Sequence, residues 1–211
     1  MMRRNNTYSQ ERKRQLIAMS KFQITQSAAP LPRSSWVLDG MFLAGEYAGK
    51  PDPREHIERL SSLFNADMRT FINLTEKDEK NNKNKLLIHY EDQIQAIAAD
   101  ANERVDCTRF TIVDRHITTN ENMRKVLDAI DDSINKNRPV YIHCYGGIGR
   151  TGTVVCCWLL RHGYSTMDNV LDVLTKLRGA DIEKSYREAP ENDMQKQFVL
   201  NWPEGQVKAK K

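Results

Sequence analysis

A chain of 211 residues is long enough for one well-filled domain with some length to spare, and 39% apolar with 28% charged residues is ordinary for a soluble protein. No apolar run approaches a membrane span, and a net charge of +4 is too small for the whole chain to argue for nucleic acid. Four cysteines, two of them adjacent, suit a reducing, cytoplasmic compartment better than a disulfide framework. Residues 1–33 carry Arg3, Arg4, Arg12, Lys13, Arg14, Lys21 and Arg33 against Glu11 alone, with no apolar core of secretory-signal length. They read as a basic flexible extension, available to anionic lipid or a partner through Leu16, Ile17, Met19 and Phe22. Pro30 and Pro32 mark its end, the globular domain is expected over 34–204, and 205–211 form a basic tail.

From Trp36 the pattern becomes globular. Trp36-Val37-Leu38, Asp39-Gly40 and Met41-Phe42-Leu43-Ala44 predict a β-hairpin, the Asp-Gly pair supplying the tight turn. Pro53 at a first helical turn, followed by Ile57, Leu60, Leu63 and Phe64, predicts an amphipathic helix, and residues 69–74 a strand. Residues 76–85 form a polar loop with four lysines, either a basic rim on the pocket or a solvated connection. Ile94, Ile97, Ala98 and Ala101 place a helix over 91–103, and 105–113 is the next strand, with Asp114 at its end. Met123, Val126, Leu127, Ile130 and Ile134 give a further helix, capped by Thr119 or Asn120 and closed by Arg138-Pro139. Gly163 ends the next helix, Ser165 or Thr166 caps one over 168–177, and a last helix over 191–202 contains Gln195. Strands alternating with helices predict an α/β fold.

One stretch carries chemistry. Pro139-Val140-Tyr141-Ile142 is a short β-rich run, residues 153–160 are apolar on nearly every face, and between them lies His143-Cys144-Tyr145-Gly146-Gly147-Ile148-Gly149-Arg150-Thr151-Gly152. The glycines let the backbone curl so that N–H groups converge, and a helix starting near Thr151 aims its positive end at the same point. Such a loop, formed by Tyr145, Gly146, Gly147, Ile148 and Gly149 and closed by the Arg150 fork, suits a tetrahedral dianion. Converging dipoles and a guanidinium favour thiolate at Cys144, so this cysteine is expected to ionise below the usual thiol value of about 8.5. In a parallel sheet the end of the 105–113 strand faces the same crevice, which brings Asp114 toward Cys144.

His-Cys-x5-Arg-Thr-Gly resembles the signature of the cysteine-dependent protein tyrosine and dual-specificity phosphatases, in particular their small single-domain bacterial and atypical members, over about residues 36–202. The resemblance implies a single domain with a central, mostly parallel sheet flanked by helices and the phosphate loop at a strand-to-helix junction. It implies a cysteinyl-phosphate intermediate, no metal and no cofactor. It makes Cys144 the nucleophile, Arg150 the phosphate grip, Asp114 the general acid, Thr151 the stabiliser of the departing thiolate and His143 the support beneath the loop. Gln195 matches a glutamine that orients the hydrolytic water, or is a solvated helix residue. The family's proline before the acid is absent here, where the segment reads Ile112-Val113-Asp114-Arg115-His116, which leaves His116 or another carboxylate on that crevice as the alternative acid.

The five histidines show no metal-ligand spacing. Cys107, Cys156 and Cys157 read as core residues, or as one partner in a protective disulfide with Cys144. Low-molecular-weight phosphatases place the motif before the acid, the reverse of the order here, and a rhodanese-like sulfurtransferase needs no upstream acid. The substrate is expected to be a phosphorylated protein bearing phosphotyrosine, with phosphoserine or phosphothreonine beside it, because Ile148 stands where phosphoinositide-specific relatives often carry lysine. The alternatives are an inositol phosphate, phospholipid or phospho-sugar, or an inactive phosphate-binding module.

Overall fold

The computed structural model describes residues 28–205 except 182 and 184. The expected hairpin forms as antiparallel strands β1 (Ser34–Leu38) and β2 (Phe42–Gly45), with Gly40 at φ +67° in the turn, a conformation open to glycine. Helix α1 (Pro53–Asn65) starts where the Asp52 carboxylate accepts from the N–H groups of Arg54 and Glu55. It buries Leu60, Leu63 and Phe64 but leaves Ile57, expected in the core, 47% exposed, because the helix turns His56 and Arg59 inward instead. Then follow β3 (Thr70–Asn73), α2 (Glu91–Asp100), β4 (Asp106–Arg109), α3 (Asn120–Asn135), β5 (Val140–His143), α4 (Gly149–Arg161), α5 (Val170–Leu177) and α6 (Asp193–Leu200).

Several boundaries moved for local reasons. α2 stops short of Glu103 because Asn102 takes a left-handed φ of +57°. β4 ends at Arg109 because its partner β3 ends at Asn73, and only isolated contacts continue, such as Ile112 N–H to the Leu74 carbonyl at 3.0 Å. Neither Ser165 nor Thr166 caps α5. Asn169 holds that position, and its side chain accepts from the Thr166 N–H at 2.8 Å. α6 starts only after Asn192, whose side chain accepts from the Gln195 N–H. Residues 28–33, read from sequence as the end of the extension, pack onto the domain: Leu31 is buried, and the Ala28 carbonyl accepts from the Trp36 indole at 3.3 Å. The rest of the basic extension and the tail from 206 lie outside the described residues.

The sheet runs β1-β2-β5-β3-β4, antiparallel only at β1/β2. Alternation along the strands splits the core in two. Leu43, Phe71 and Tyr141 face α1 and α2, with Leu60, Leu63 and Ile94 beneath them. Phe42, Ile72, Val140 and Ile142 face the other layer, where α3, α4, α5 and α6 contribute Val126, Ile130, Val155, Trp158, Leu174 and Val199. α4 is buried from Gly149 through Leu160, as its apolar circumference requires. In register, Gly45 and Asn73 both pair with His143, and Asn73 with Arg109, so the parallel strands deliver their C-terminal ends to one edge. No helix among the described residues is long and apolar enough to cross a membrane.

Candidate active site

At that edge β5 passes into the loop 144–148 and then α4. The loop's carbonyls are tied back to the protein. The Cys144 carbonyl accepts from His143 Nδ1 at 3.2 Å, the Tyr145 carbonyl from the Tyr47 N–H at 3.1 Å and the Gly146 carbonyl from Arg33 at 3.3 Å. The N–H groups of residues 145–151 have no acceptor among the described residues, the first helical bond being Gly152 N–H to the Ile148 carbonyl at 3.1 Å. Carbonyls turned outward and amides left unpaired at a helix start make an anion cradle. Gly147 allows the curl: at φ +70°, its added Cβ would lie 2.6 Å from the Gly45 carbonyl.

Cys144 is 3% exposed at the base of this loop. Below it His143 is fully buried among Tyr47, Tyr90 and Tyr141. Burial is the largest influence on its ring and pushes its pKa down to about 3, so the imidazole is neutral. Since Nδ1 faces a carbonyl it must carry the proton, and Nε2 then accepts from the Tyr90 hydroxyl at 2.6 Å. This fixes the tautomer and holds the Cys144 carbonyl.

Arg150 is 1% exposed and its fork is fully engaged. Nη1 donates to Glu79 Oε2 at 2.6 Å and to the Ile112 carbonyl at 3.0 Å. Nη2 donates to Glu79 Oε1 at 2.8 Å and to Asp114 Oδ1 at 2.7 Å. Only Nε lacks a partner. Burial lowers the guanidinium's proton affinity, but the carboxylates of Glu79 and Asp114 outweigh it and raise its pKa, so Arg150 stays charged. The structure thus brings Asp114 onto Arg150, as strand direction demanded, while its side chain remains 52% exposed.

Glu79 is the residue that sequence reasoning missed. It lies in the lysine-bearing loop 76–85 but is buried, also accepting from the Glu76 N–H at 3.1 Å. An acid inside a basic, solvated-looking loop was the only signal. Arg33 and Glu46 were missed too. Arg33 pairs with the buried Glu46 while reaching the Gly146 carbonyl, and Arg59 pairs with Glu46 at 2.9 Å.

Three expected residues sit otherwise than foreseen. The Thr151 hydroxyl is buried with no hydrogen-bond partner among the described residues, so the contact to sulfur implied by the resemblance is not made here. Ile148 turns into the core at 3% exposure. Gln195, fully buried, accepts at Oε1 from the Glu191 N–H at 3.1 Å and donates one Nε2 hydrogen to the His116 carbonyl at 3.3 Å, so it is tied to the backbone at both ends. His116 itself is exposed, and its Nδ1 donates to the Asp114 carbonyl at 2.8 Å. Cys107, Cys156 and Cys157 are free, as is Cys144. Burial pushes Cys107 up to about 12 and raises Cys156 and Cys157 strongly, which makes all three poor nucleophiles.

Residues 31–197 match the family model of the Swiss Army Knife protein phosphatase domain of the dual-specificity and tyrosine phosphatase class. The chain belongs to this family. Its phosphatase fold is shared by solved structures: the active form of Tk-PTP (TM-score 0.59, 22% identity, 83% of this chain and 99% of that one) and PTPMT1 in complex with PI(5)P (0.58, 16%, 80% and 93%). The core catalytic domain of the PP-IP phosphatase SIW14 from S. cerevisiae is similar as well (0.53, 15%, 83% and 88%). Among curated proteins, the uncharacterized MJECL20 of Methanocaldococcus jannaschii is 32% identical over 92 residues, covering 43% of this chain and 55% of that protein. MJ0215 of the same organism is 30% identical over 100 residues, covering 47% and 56%. The chain thus spans a little over half the length of the curated relatives it matches.

Proposed function

We propose that this phosphatase hydrolyses phosphomonoesters through a cysteinyl-phosphate on Cys144, with phosphotyrosine on proteins as the principal substrate and phosphoserine or phosphothreonine beside it. The observation that carries the chemistry is the cradle of unpaired amides between Cys144 and Arg150, with Asp114 within 2.7 Å of the same guanidinium. The Cys144 thiolate attacks phosphorus in line while amides and Arg150 hold the equatorial oxygens. An S–P bond forms, the P–O bond breaks, and its electron pair leaves on the ester oxygen, which takes a proton from Asp114 in its protonated form, reached once phosphate has displaced that side chain from Arg150. Asp114, now ionised, accepts a proton from water as that water attacks phosphorus. The S–P bond breaks, returning thiolate and releasing inorganic phosphate.

Two features support a protein substrate. Within the loop itself Arg150 is the one cation, Ile148 being apolar and buried, and the neighbouring Arg33 is already paired with Glu46, so little is left for a second phosphate. The acid loop carries the exposed side chains Val113 and Ile117, apolar surface suited to an aromatic ring. Thiolate chemistry of this kind belongs in a reducing cytoplasm. A turnover panel of phosphopeptides, inositol phosphates and nucleotides tests the assignment, with phosphotyrosine peptides expected fastest; preference for an inositol phosphate overturns the substrate class. Cys144→Ser is expected to keep phosphate-ester binding and lose turnover, and residual activity above about 5% would remove Cys144 as nucleophile.

A further inference from the structure

The acid loop has no apolar anchor of its own. Residues 113–117 are exposed in succession, between the buried Ile112 and the half-buried Thr118, and Arg115 takes a left-handed φ of +60°. Burial therefore does little to set where Asp114 stands. Arg150 holds the Asp114 side chain and the Ile112 carbonyl, and two side chains at the start of α6, the capping Asn192 and Gln195, hold the loop backbone beyond them. Asn192 donates from Nδ2 to the Arg115 carbonyl at 2.8 Å, and Gln195 from Nε2 to the His116 carbonyl at 3.3 Å. The two donors are themselves fixed. Asn192 Oδ1 accepts from the Gln195 N–H at 3.0 Å, and Gln195 Oε1 from the Glu191 N–H at 3.1 Å. α6 is in turn pressed on the phosphate loop, since a Cβ on Gly149 would lie 2.1 Å from Glu191 Oε1 and 2.8 Å from Gln195 Oε1. Acid loop, helix and cradle form one assembly.

We propose that Asn192 and Gln195 are positioning residues for Asp114, clamping the backbone of the acid loop so that the carboxyl is presented to the leaving oxygen. This rests on the assignment of Asp114 as general acid. Gln195, whose Nε2 donates to the acid-loop backbone, acts on the first chemical step through the acid loop. The clamp also explains how the loop keeps its place without the proline that related acid loops often carry: the tertiary hydrogen bonds to Arg115 and His116 supply the restraint.

Asn192→Asp is the cleanest variant, because it keeps the Oδ1 cap on α6 and turns the donor to Arg115 into an acceptor that repels the carbonyl, with the new charge favourable at a helix start. Gln195→Glu and Gln195→Leu remove the second donor. With a phosphotyrosine peptide, each is expected to lower kcat roughly tenfold, as a slightly misplaced acid would. With an activated fluorinated coumarin phosphate, whose leaving group needs no proton, the loss should be under about twofold. Stopped-flow traces should show no burst of leaving group, and in an Asp114→Ala background Asn192→Asp should add nothing. Equal losses on both substrates, a burst signalling accumulated cysteinyl-phosphate, or additivity with Asp114→Ala would each overturn the clamp. Should the Gln195 variants fail to fold, Asn192→Asp decides alone. If Asp114→Ala itself lost the same factor on both substrates, the acid assignment would fall, and the clamp with it. Loss of the clamp variants' selectivity with that of Asp114→Ala intact condemns the clamp only.

Discussion

Glu79 and Arg150 form a buried pair, 6% and 1% exposed, joined by two parallel bonds. Removing Glu79 leaves the buried guanidinium with only the half-exposed Asp114 carboxylate and the Ile112 carbonyl, so Glu79→Ala should cost roughly 2 to 4 kcal/mol in urea unfolding, and Glu79→Ala with Arg150→Met should recover much of it. A single-variant loss below about 1 kcal/mol would mean that solvent already reaches the pair. For turnover, Arg150→Lys should be nearly as damaging as loss of the nucleophile, because an ammonium cannot replace the planar fork. His143 makes a prediction about pH. Its folded pKa, near 3, lies below its unfolded value of about 6.5, so below 6.5 the unfolded chain binds a proton that the folded one does not. The stability it contributes is therefore present above pH 6.5 and lost as pH falls toward 3. Between pH 7 and 5 the wild type should lose about 2 kcal/mol more than His143→Gln, measured by denaturant unfolding. Parallel losses would show that the imidazole takes up its proton in the folded state.

The unit that most constrains the molecule is the strand-loop-helix from β5 to α4. Gly147→Ala tests it: at φ +70° with Gly45 and Glu46 backbone atoms at 2.6 and 2.8 Å, a methyl group forces the loop off β2. Loss of most turnover is expected together with a lower melting temperature, and a variant matching the wild type in both would show that the cradle is not wedged against β2. This same unit was the most legible part of the sequence, because an apolar strand, glycines and an apolar helix are contiguous and need no tertiary knowledge. Asp114 was legible by strand direction alone. What escaped was whatever reaches the site across the fold. Glu79 hides in a polar loop, Arg33 lay in a segment read as tail, and Tyr90 bonds His143 from the start of α2. The burial of Gln195 was invisible because a polar residue one turn into a short amphipathic helix carries no mark of which way it faces. β4 was overextended because alternation persists in 110–113 after its pairing partner has ended.

At the scale of the whole molecule, parallel β2, β5, β3 and β4 send their following loops to one edge, and the loops after β3 and β4 meet on a single guanidinium carried at the start of α4. Helices α3 to α6 cover the opposite layer from α1 and α2, so the site lies at a seam that both layers support. The chain as a whole carries a net charge of only +4. At the seam the balance differs: one cation, Arg150, already faces two carboxylates, Glu79 and Asp114. An incoming anion must therefore displace Asp114 from Nη2, which is expected to favour a doubly charged phosphate over a singly charged group. The pocket sorts by valence. Aryl sulfates and phosphodiesters should neither turn over nor compete with a phosphomonoester, whereas Asp114→Ala should turn them into measurable inhibitors.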